Sequence, residues 1–199
     1  MYKMMIRKNA INFKLIHQKI STKDFYDRIM EKFHAGRERC PFCKSVGSCE
    51  NHAYYRRYLL EYLNGEISVC SLKILRVRCT SCGHTHAILP DPIIPYAGYS
   101  LQFILTVLAY YLLRLRPVSG ICDHFQISVS TLYRWYRLFL DHRREWLGAL
   151  ASIEEEILSF LNFCFMSDVF SVFAQSFFEK TGISFLQSHK NPAASRRSP

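Results

Sequence analysis

Residues 40–82 read CPFCKSVGSCENHAYYRRYLLEYLNGEISVCSLKILRVRCTSC. Two Cys-x-x-Cys pairs, Cys40/Cys43 and Cys79/Cys82, bound this stretch, with 35 residues between them. Each pair sets two thiolates on one tight turn, and two such turns form a tetrahedral sulfur cage suited to zinc. The interval is longer than usual because it holds its own hairpin. AYYRRYLLEYL and EISVCSLKILRVRC flank Asn64-Gly65, and Asn-Gly supplies the positive backbone angles of a two-residue type I′ turn. Period-two alternation puts Ile74, Arg76 and Arg78 on one face of the second strand and Leu75, Val77 and Cys79 on the other. HAILP, after the second pair, adds a third strand.

The stretch therefore reads as a zinc ribbon over residues 37–92. Its Zn2+ is structural, because four protein sulfurs leave no open position for a substrate. Gly83, just after Cys82, eases the turn around the metal. Cys49 and His52 form a nearby Cys-x-x-His pair, with His84 and His86 as its plausible helpers. A role at a strand start or on the surface is the simpler reading of that pair. Cys70, Cys122 and Cys164 read as small buried hydrophobes.

The chain carries 26 Lys and Arg against 16 acidic residues, a net charge of +10. The surplus is concentrated in residues 1–90, with 16 basic and 7 acidic side chains. A basic half of this kind favours a polyanion. The N-terminus is interrupted by Lys3, Arg7, Lys8 and Lys14 and lacks the apolar run of an export signal. Cytoplasmic residence follows as the expectation, and there cysteines serve metals more often than disulfides. Residues 99–113 are uncharged but fall short of the roughly 20 residues of a span. Residues 157–178 are long enough, yet Asp168 near their middle costs about 2.5–3.5 kcal/mol on insertion. Both read as core helices, and no membrane partner is expected.

Elsewhere the pattern is helical. Residues 21–34 carry Phe25, Ile29 and Phe33 on one stripe behind a Ser21 cap, with Asp24 three positions on. Pro90, Pro92 and Pro95 mark a linker. Ser100 caps a helix that runs to about Arg116, where Pro117 stops it. A short helix covers Val118–Phe125, a turn follows at Gln126-Ile127-Ser128, and a longer helix runs from Val129 to about Leu147. Glu154, Glu155 and Glu156 lead into one Phe-rich helix over 157–178. Gly182 interrupts the pattern. The polar tail NPAASRRSP is disordered by composition.

The segment 121–135, ICDHFQISVSTLYRW, resembles the helix-turn-helix of transposases and resolvases. Ile121 and Cys122 take the apolar and small positions, Phe125 and Ile127 close the corner, and Leu132, Trp135 and Phe139 form the inward stripe. Gln126 stands where such motifs usually have Gly. The resemblance implies that Ser128 caps a recognition helix. It also implies that Val129, Ser130, Thr131, Tyr133, Arg134 and Arg137 meet the major groove. Arg114, Arg116, Arg143 and Arg144 are candidate phosphate contacts.

RVRCTSCGHTHAILPD, followed by PYAGYS and an apolar helix, looks like a family of small transposase-like proteins found with bacterial insertion elements, which pair a zinc ribbon with a helix-turn-helix. That resemblance implies a zinc-stabilised protein of the nucleoid that binds double-stranded DNA and serves a mobile element. It acts alone, as a homodimer or with a transposition-complex partner. An adaptor using its Phe-rich C-terminal helix to bind protein, or a regulator without a transposition role, is the alternative. Residues beyond the motif supply no strand run for a catalytic carboxylate triad and no nucleophile motif, so no enzyme is expected. The fold class is α+β: a helical segment at 1–36, the ribbon at 37–92, a helical domain at 93–150, the Phe-rich helix at 151–188 and the tail at 189–199.

Overall fold

The computed structural model describes residues 5–6, 21–147, 157–165 and 167–188. Strands β1 (Met5–Ile6), β2 (Cys49–Leu63), β3 (Glu66–Cys79) and β4 (Thr85–Ile88) form one sheet in the order β1-β4-β3-β2. β2 and β4 are each antiparallel to β3, and β1 runs parallel to β4. Helices are α1 (Thr22–Glu31), α2 (Leu101–Leu112), α3 (Val118–Phe125), α4 (Val129–Leu147), α5 (Ile157–Phe165) and α6 (Ser167–Thr181). The architecture is mixed α and β, as the α+β expectation has it. Among the described residues no helix is long and apolar enough to cross a membrane. The expected tail at 189–199 and the run at 154–156 lie outside the described residues.

The β2–β3 hairpin turns at Asn64 and Gly65, with φ of 54° and 87°. Both angles are positive, as a type I′ turn requires. The two strands pair from Leu63 opposite Glu66 to Cys49 opposite Cys79. One bulge falls between Asn51 and Ala53, so His52 is an extra residue. β4 pairs only with residues 76–78 of β3. Just before them the Leu75 N–H donates to the Tyr26 hydroxyl at 2.8 Å, so α1 takes up the edge that β4 leaves open. Ser21 caps α1 by accepting the Asp24 N–H, and Glu61 accepts the Thr22 N–H at 2.8 Å.

Each sheet face carries its own buried cluster. Leu59, Cys70, Leu72, Ile74, Ala87, Leu89 and Ile93 pack with Tyr26 on one side. Leu75, Val77, Cys79, Cys49 and Ile88 pack with Ala35 and Cys40 on the other. Ile74 accordingly stays on the face opposite Leu75, with Arg76 half-buried and Arg78 exposed beside it.

The helices surround a third core. Ser100 caps α2 by accepting the Phe103 N–H at 3.1 Å, and that helix buries Leu101, Phe103, Ile104, Leu105, Val107 and Leu108. It ends at Leu112 rather than running to Arg116. The hairpin tip reaches this core through Leu60, Tyr62 and Ile67.

Two expectations change. The Phe-rich segment forms two helices, α5 and α6, rather than one. Phe163 and Phe173 have ring centroids 5.6 Å apart. Ten residues of continuous helix would separate them by about 15 Å along the axis. Folding back lets Phe160, Phe170, Phe173 and Phe177 converge on Phe185, which follows Gly182. The second change concerns the proline segment. Residues 90–95 are all buried. The Leu60 N–H donates to the Gly98 carbonyl and the Ser100 N–H to the Leu60 carbonyl, both at 2.8 Å. Arg57 Nη2 donates to the carbonyls of Ile94 and Ala97. The prolines break regular structure, but the chain there is a fixed brace between sheet and helices.

Candidate functional site

The two Cys-x-x-Cys turns repeat one backbone design. In the first, the Lys44 N–H donates to the Cys40 carbonyl and the Cys40 N–H to the Ser45 carbonyl, both at 2.9 Å. In the second, the Gly83 N–H donates to the Cys79 carbonyl at 2.8 Å and the Cys79 N–H to the His84 carbonyl at 2.9 Å. The fifth residue has a positive φ in both, 64° at Lys44 and 73° at Gly83. Gly83 takes that angle without strain; Lys44 adopts it with a side chain. Phe42 and His84 stack across the two turns, centroids 3.7 Å apart.

This geometry gathers the sulfurs. Cys40, Cys43, Cys79 and Cys82 have their Sγ atoms within 4.8 Å of one another, and all four are free thiols. Cys40 lies 3.7 Å from Cys82 and Cys43 lies 3.6 Å from Cys79. A tetrahedral zinc with bonds of about 2.3 Å requires sulfurs about 3.8 Å apart. The donor set therefore fits a zinc ion.

Its electrostatics ask for a cation. Desolvation pushes the Cys79 thiol up, but hydrogen bonds from Ser45 and from the Cys82 and Ser81 N–H groups prevail and bring it to about 6. At Cys82 the His84 N–H lowers the pKa, yet desolvation and the three neighbouring sulfurs carry it to about 12. Four sulfurs this close cannot all be thiolates without a positive charge among them.

Ser45 and His86 complete the surroundings. Ser45 Oγ is 3.1 Å from the Cys43 sulfur and 3.6 Å from that of Cys79. His86 is fully buried, with Nε2 3.4 Å from the Cys40 sulfur. Sequence reasoning passed over Ser45 and considered His86 only as a helper for Cys49 and His52. The signal was its place on β4, one strand from Cys79. Cys49 and His52 are not brought into the cluster. Cys49 is buried opposite Cys79, with burial and the charges of Cys79 and Cys40 raising its thiol to about 11. His52 is exposed at the bulge.

The second candidate surface is the α3–α4 pair. Gln126 ends α3 in the left-handed region, φ 51° and ψ 46°. The Ile127 N–H donates to the Cys122 carbonyl at 3.0 Å. Ser128 Oγ accepts the Thr131 N–H at 3.2 Å and lies 2.9 Å from the Ser130 and Thr131 hydroxyls. Ile121, Cys122, Phe125, Ile127, Leu132, Trp135 and Phe139 are buried. Ser128, Val129, Ser130, Tyr133, Arg134 and Arg137 are exposed, and Thr131 is half-buried. Tyr133 stands edge-on to Tyr111 of α2 at 6.0 Å. Arg114, Arg116 and Arg144 are exposed, and Arg143 is half-buried.

Residues 40–135 match the model of a family described as "Domain of unknown function (DUF6431)". No curated protein and no solved structure matches the chain. The matched stretch begins at the first cysteine of the cluster and ends at Trp135, so the likeness covers the four cysteines and the α3–α4 turn and stops before Arg137.

Proposed function

We propose that this chain is a zinc-stabilised protein that binds double-stranded DNA, of transposase or mobile-element type. In this reading the cysteine module is a zinc ribbon, α3 and α4 act as a helix-turn-helix, and the protein works at the nucleoid in the cytoplasm. The observation that carries it is the division of α4. One stripe, Leu132, Trp135 and Phe139, is buried, while Ser128, Ser130, Tyr133, Arg134 and Arg137 are turned to solvent. A helix fits the roughly 12 Å width of the major groove, where Arg pairs bidentately with guanine and Ser serves either base or phosphate. The N-terminus of α4, with hydroxyls at Ser128, Ser130 and Thr131, suits a backbone phosphate.

Zinc held by Cys40, Cys43, Cys79 and Cys82 supplies a structural crosslink. The reading gives the chain no catalytic step. The adaptor alternative rested on the Phe-rich C-terminal helix, and the structure weakens its basis because Phe160, Phe170, Phe173 and Phe177 are spent in the protein's own core.

The test is selection of bound duplexes from a random pool with zinc-loaded protein, repeated across salt concentrations. An enriched sequence is expected, with affinity falling steeply as salt rises. Arg134→Ala and Arg137→Ala should each lower affinity for it by about 1–3 kcal/mol. Wild-type protein that enriches no sequence and ignores duplexes at low salt overturns the proposal.

A further inference from the structure

Between the cysteine module and the helical core, one face of the β2–β3 hairpin lies open. The register places Tyr54 opposite Leu75, Arg56 opposite Lys73, Tyr58 opposite Ser71 and Leu60 opposite Val69. Leu75 is buried under the cysteine module and Leu60 meets the helices, so the stretch between them is bounded at both ends. Tyr54 is 54% exposed, Tyr58 58% and Val69 67%. Large aromatic side chains held this open on a regular strand are uncommon, because an apolar ring gains by burial. Lys73 Nζ sits 4.5 Å above the Tyr54 ring.

The charge on this band has one sign. Residues 53–59 and 68–74 contain no carboxylate. Glu61 and Glu66 alternate to the opposite face, where Glu61 accepts the Thr22 N–H. At the Tyr54 end the band opens into a cleft of about 320 Å³ between α1 and the sheet, walled by Met30, Phe33 and Asn51. Its one carboxylate, Asp27, is ion-paired with Lys23.

We propose that Tyr54, Arg56, Tyr58 and Lys73 bind single-stranded nucleic acid. The two rings stack on unpaired bases, and Arg56 and Lys73 neutralise the phosphates beside them. Tyr54 and Tyr58, four residues apart along one strand, are separated by about 13 Å, with Arg56 midway. Stacked neighbours in a duplex strand rise only about 3.4 Å each, so adjacent bases must splay apart to reach both rings. A duplex also hides its base faces, which leaves an unpaired strand as the polyanion that rings and cations can hold together. The surface is separate from the outward face of α4 and does not depend on its reading.

The experiment is fluorescence anisotropy on the full, zinc-loaded chain with labelled oligothymidylate and oligouridylate. Both are expected to bind at low salt. Tyr54→Ala and Tyr58→Ala each weaken binding about tenfold, in line with stacking measured by alanine substitution. Tyr54→Phe and Tyr58→Phe, which keep the ring, stay within about twofold. Arg56→Ala lowers the slope of log affinity against log salt by about 0.7. Arg134→Ala/Arg137→Ala leaves oligonucleotide binding intact, separating this surface from the duplex-binding proposal. Comparable affinity for the two oligonucleotides supports stacking that tolerates either sugar and either pyrimidine. Zinc content and circular dichroism confirm that each variant is folded. Wild-type protein that ignores both oligonucleotides, or a Tyr54→Ala/Tyr58→Ala variant that binds them as wild type does, overturns the inference and leaves the band to a protein partner.

Discussion

Ile93 and Ile94 are consecutive, both are buried, and they belong to different cores. Ile93 packs with Leu72, Ile74 and Leu89 against the sheet, whereas Ile94 packs among the helices. The peptide between them is where the two parts of the chain are joined, and Arg57 grips the chain just beyond it by donating to the Ile94 and Ala97 carbonyls. Arg57→Ala leaves two carbonyls without a charged donor and should cost about 2–4 kcal/mol in urea denaturation. Faster amide exchange at Leu60 and Ser100 should accompany it. Unchanged exchange there would show that the guanidinium holds nothing together.

Metal removal should act on folding. Structural zinc sites of this kind contribute about 10–16 kcal/mol of apparent binding energy, so a strong chelator should unfold the cysteine module. Cys79→Ser should abolish stoichiometric zinc in a colorimetric release assay. Cys49→Ser should retain it, because the Cys49 thiol lies outside the cluster and stays protonated, with a pKa of about 11. Equal zinc loss in both variants would overturn the four-sulfur assignment.

Lys44 and Gln126 are two of the six described non-glycine residues with a positive φ, where glycine is favoured. Their φ angles are 64° and 51°. Lys44→Gly and Gln126→Gly should each stabilise the protein by about 0.5–1 kcal/mol, read as a rise in melting temperature. The reverse control is Gly83, with φ of 73° and nothing within 4 Å of an added Cβ. Gly83→Ala should lose about 1–2 kcal/mol from backbone conformation alone.

His142 is buried among Phe177 and Phe185, and its Nδ1 accepts the Leu186 N–H at 3.0 Å. Burial holds its pKa at about 4, below the ordinary 6.5, against a small opposing pull from Asp141. Between these values the unfolded imidazole binds a proton that the folded one does not. Its contribution is therefore complete above pH 6.5 and declines by about 3 kcal/mol as pH falls to 4. Urea midpoints across this window should slope for the wild type and flatten for His142→Phe. Parallel slopes would remove His142 as the cause.

Much of the fold was legible where a local rule decides. Asn64-Gly65 specified the hairpin, and Ser21, Ser100 and Ser128 marked three helix starts through their own hydroxyls. The four cage cysteines were legible because thiolate spacing is local at each turn. What escaped depends on partners far away in sequence. Prolines report a missing N–H, not exposure, so nothing in residues 90–95 announced that Arg57 and Leu60 would fix them. The Phe periodicity runs on through both C-terminal helices, and only the packing of Phe163 on Phe173 shows the reversal. Phe185 gave no sign of its role, because that role depends on the two helices that fold back onto it.

The long hairpin sets a length scale. One end of its face supports the sulfur cluster and the other end touches the helices, so strand length fixes how far apart those two modules stand. Each added residue pair would advance the tip by about 3.3 Å and turn it over, and two pairs would lengthen it by about 6.6 Å with the same side presented. Relatives that vary this hairpin in even steps would hold their two ends at different reaches without redesigning either, like calipers opened by whole notches.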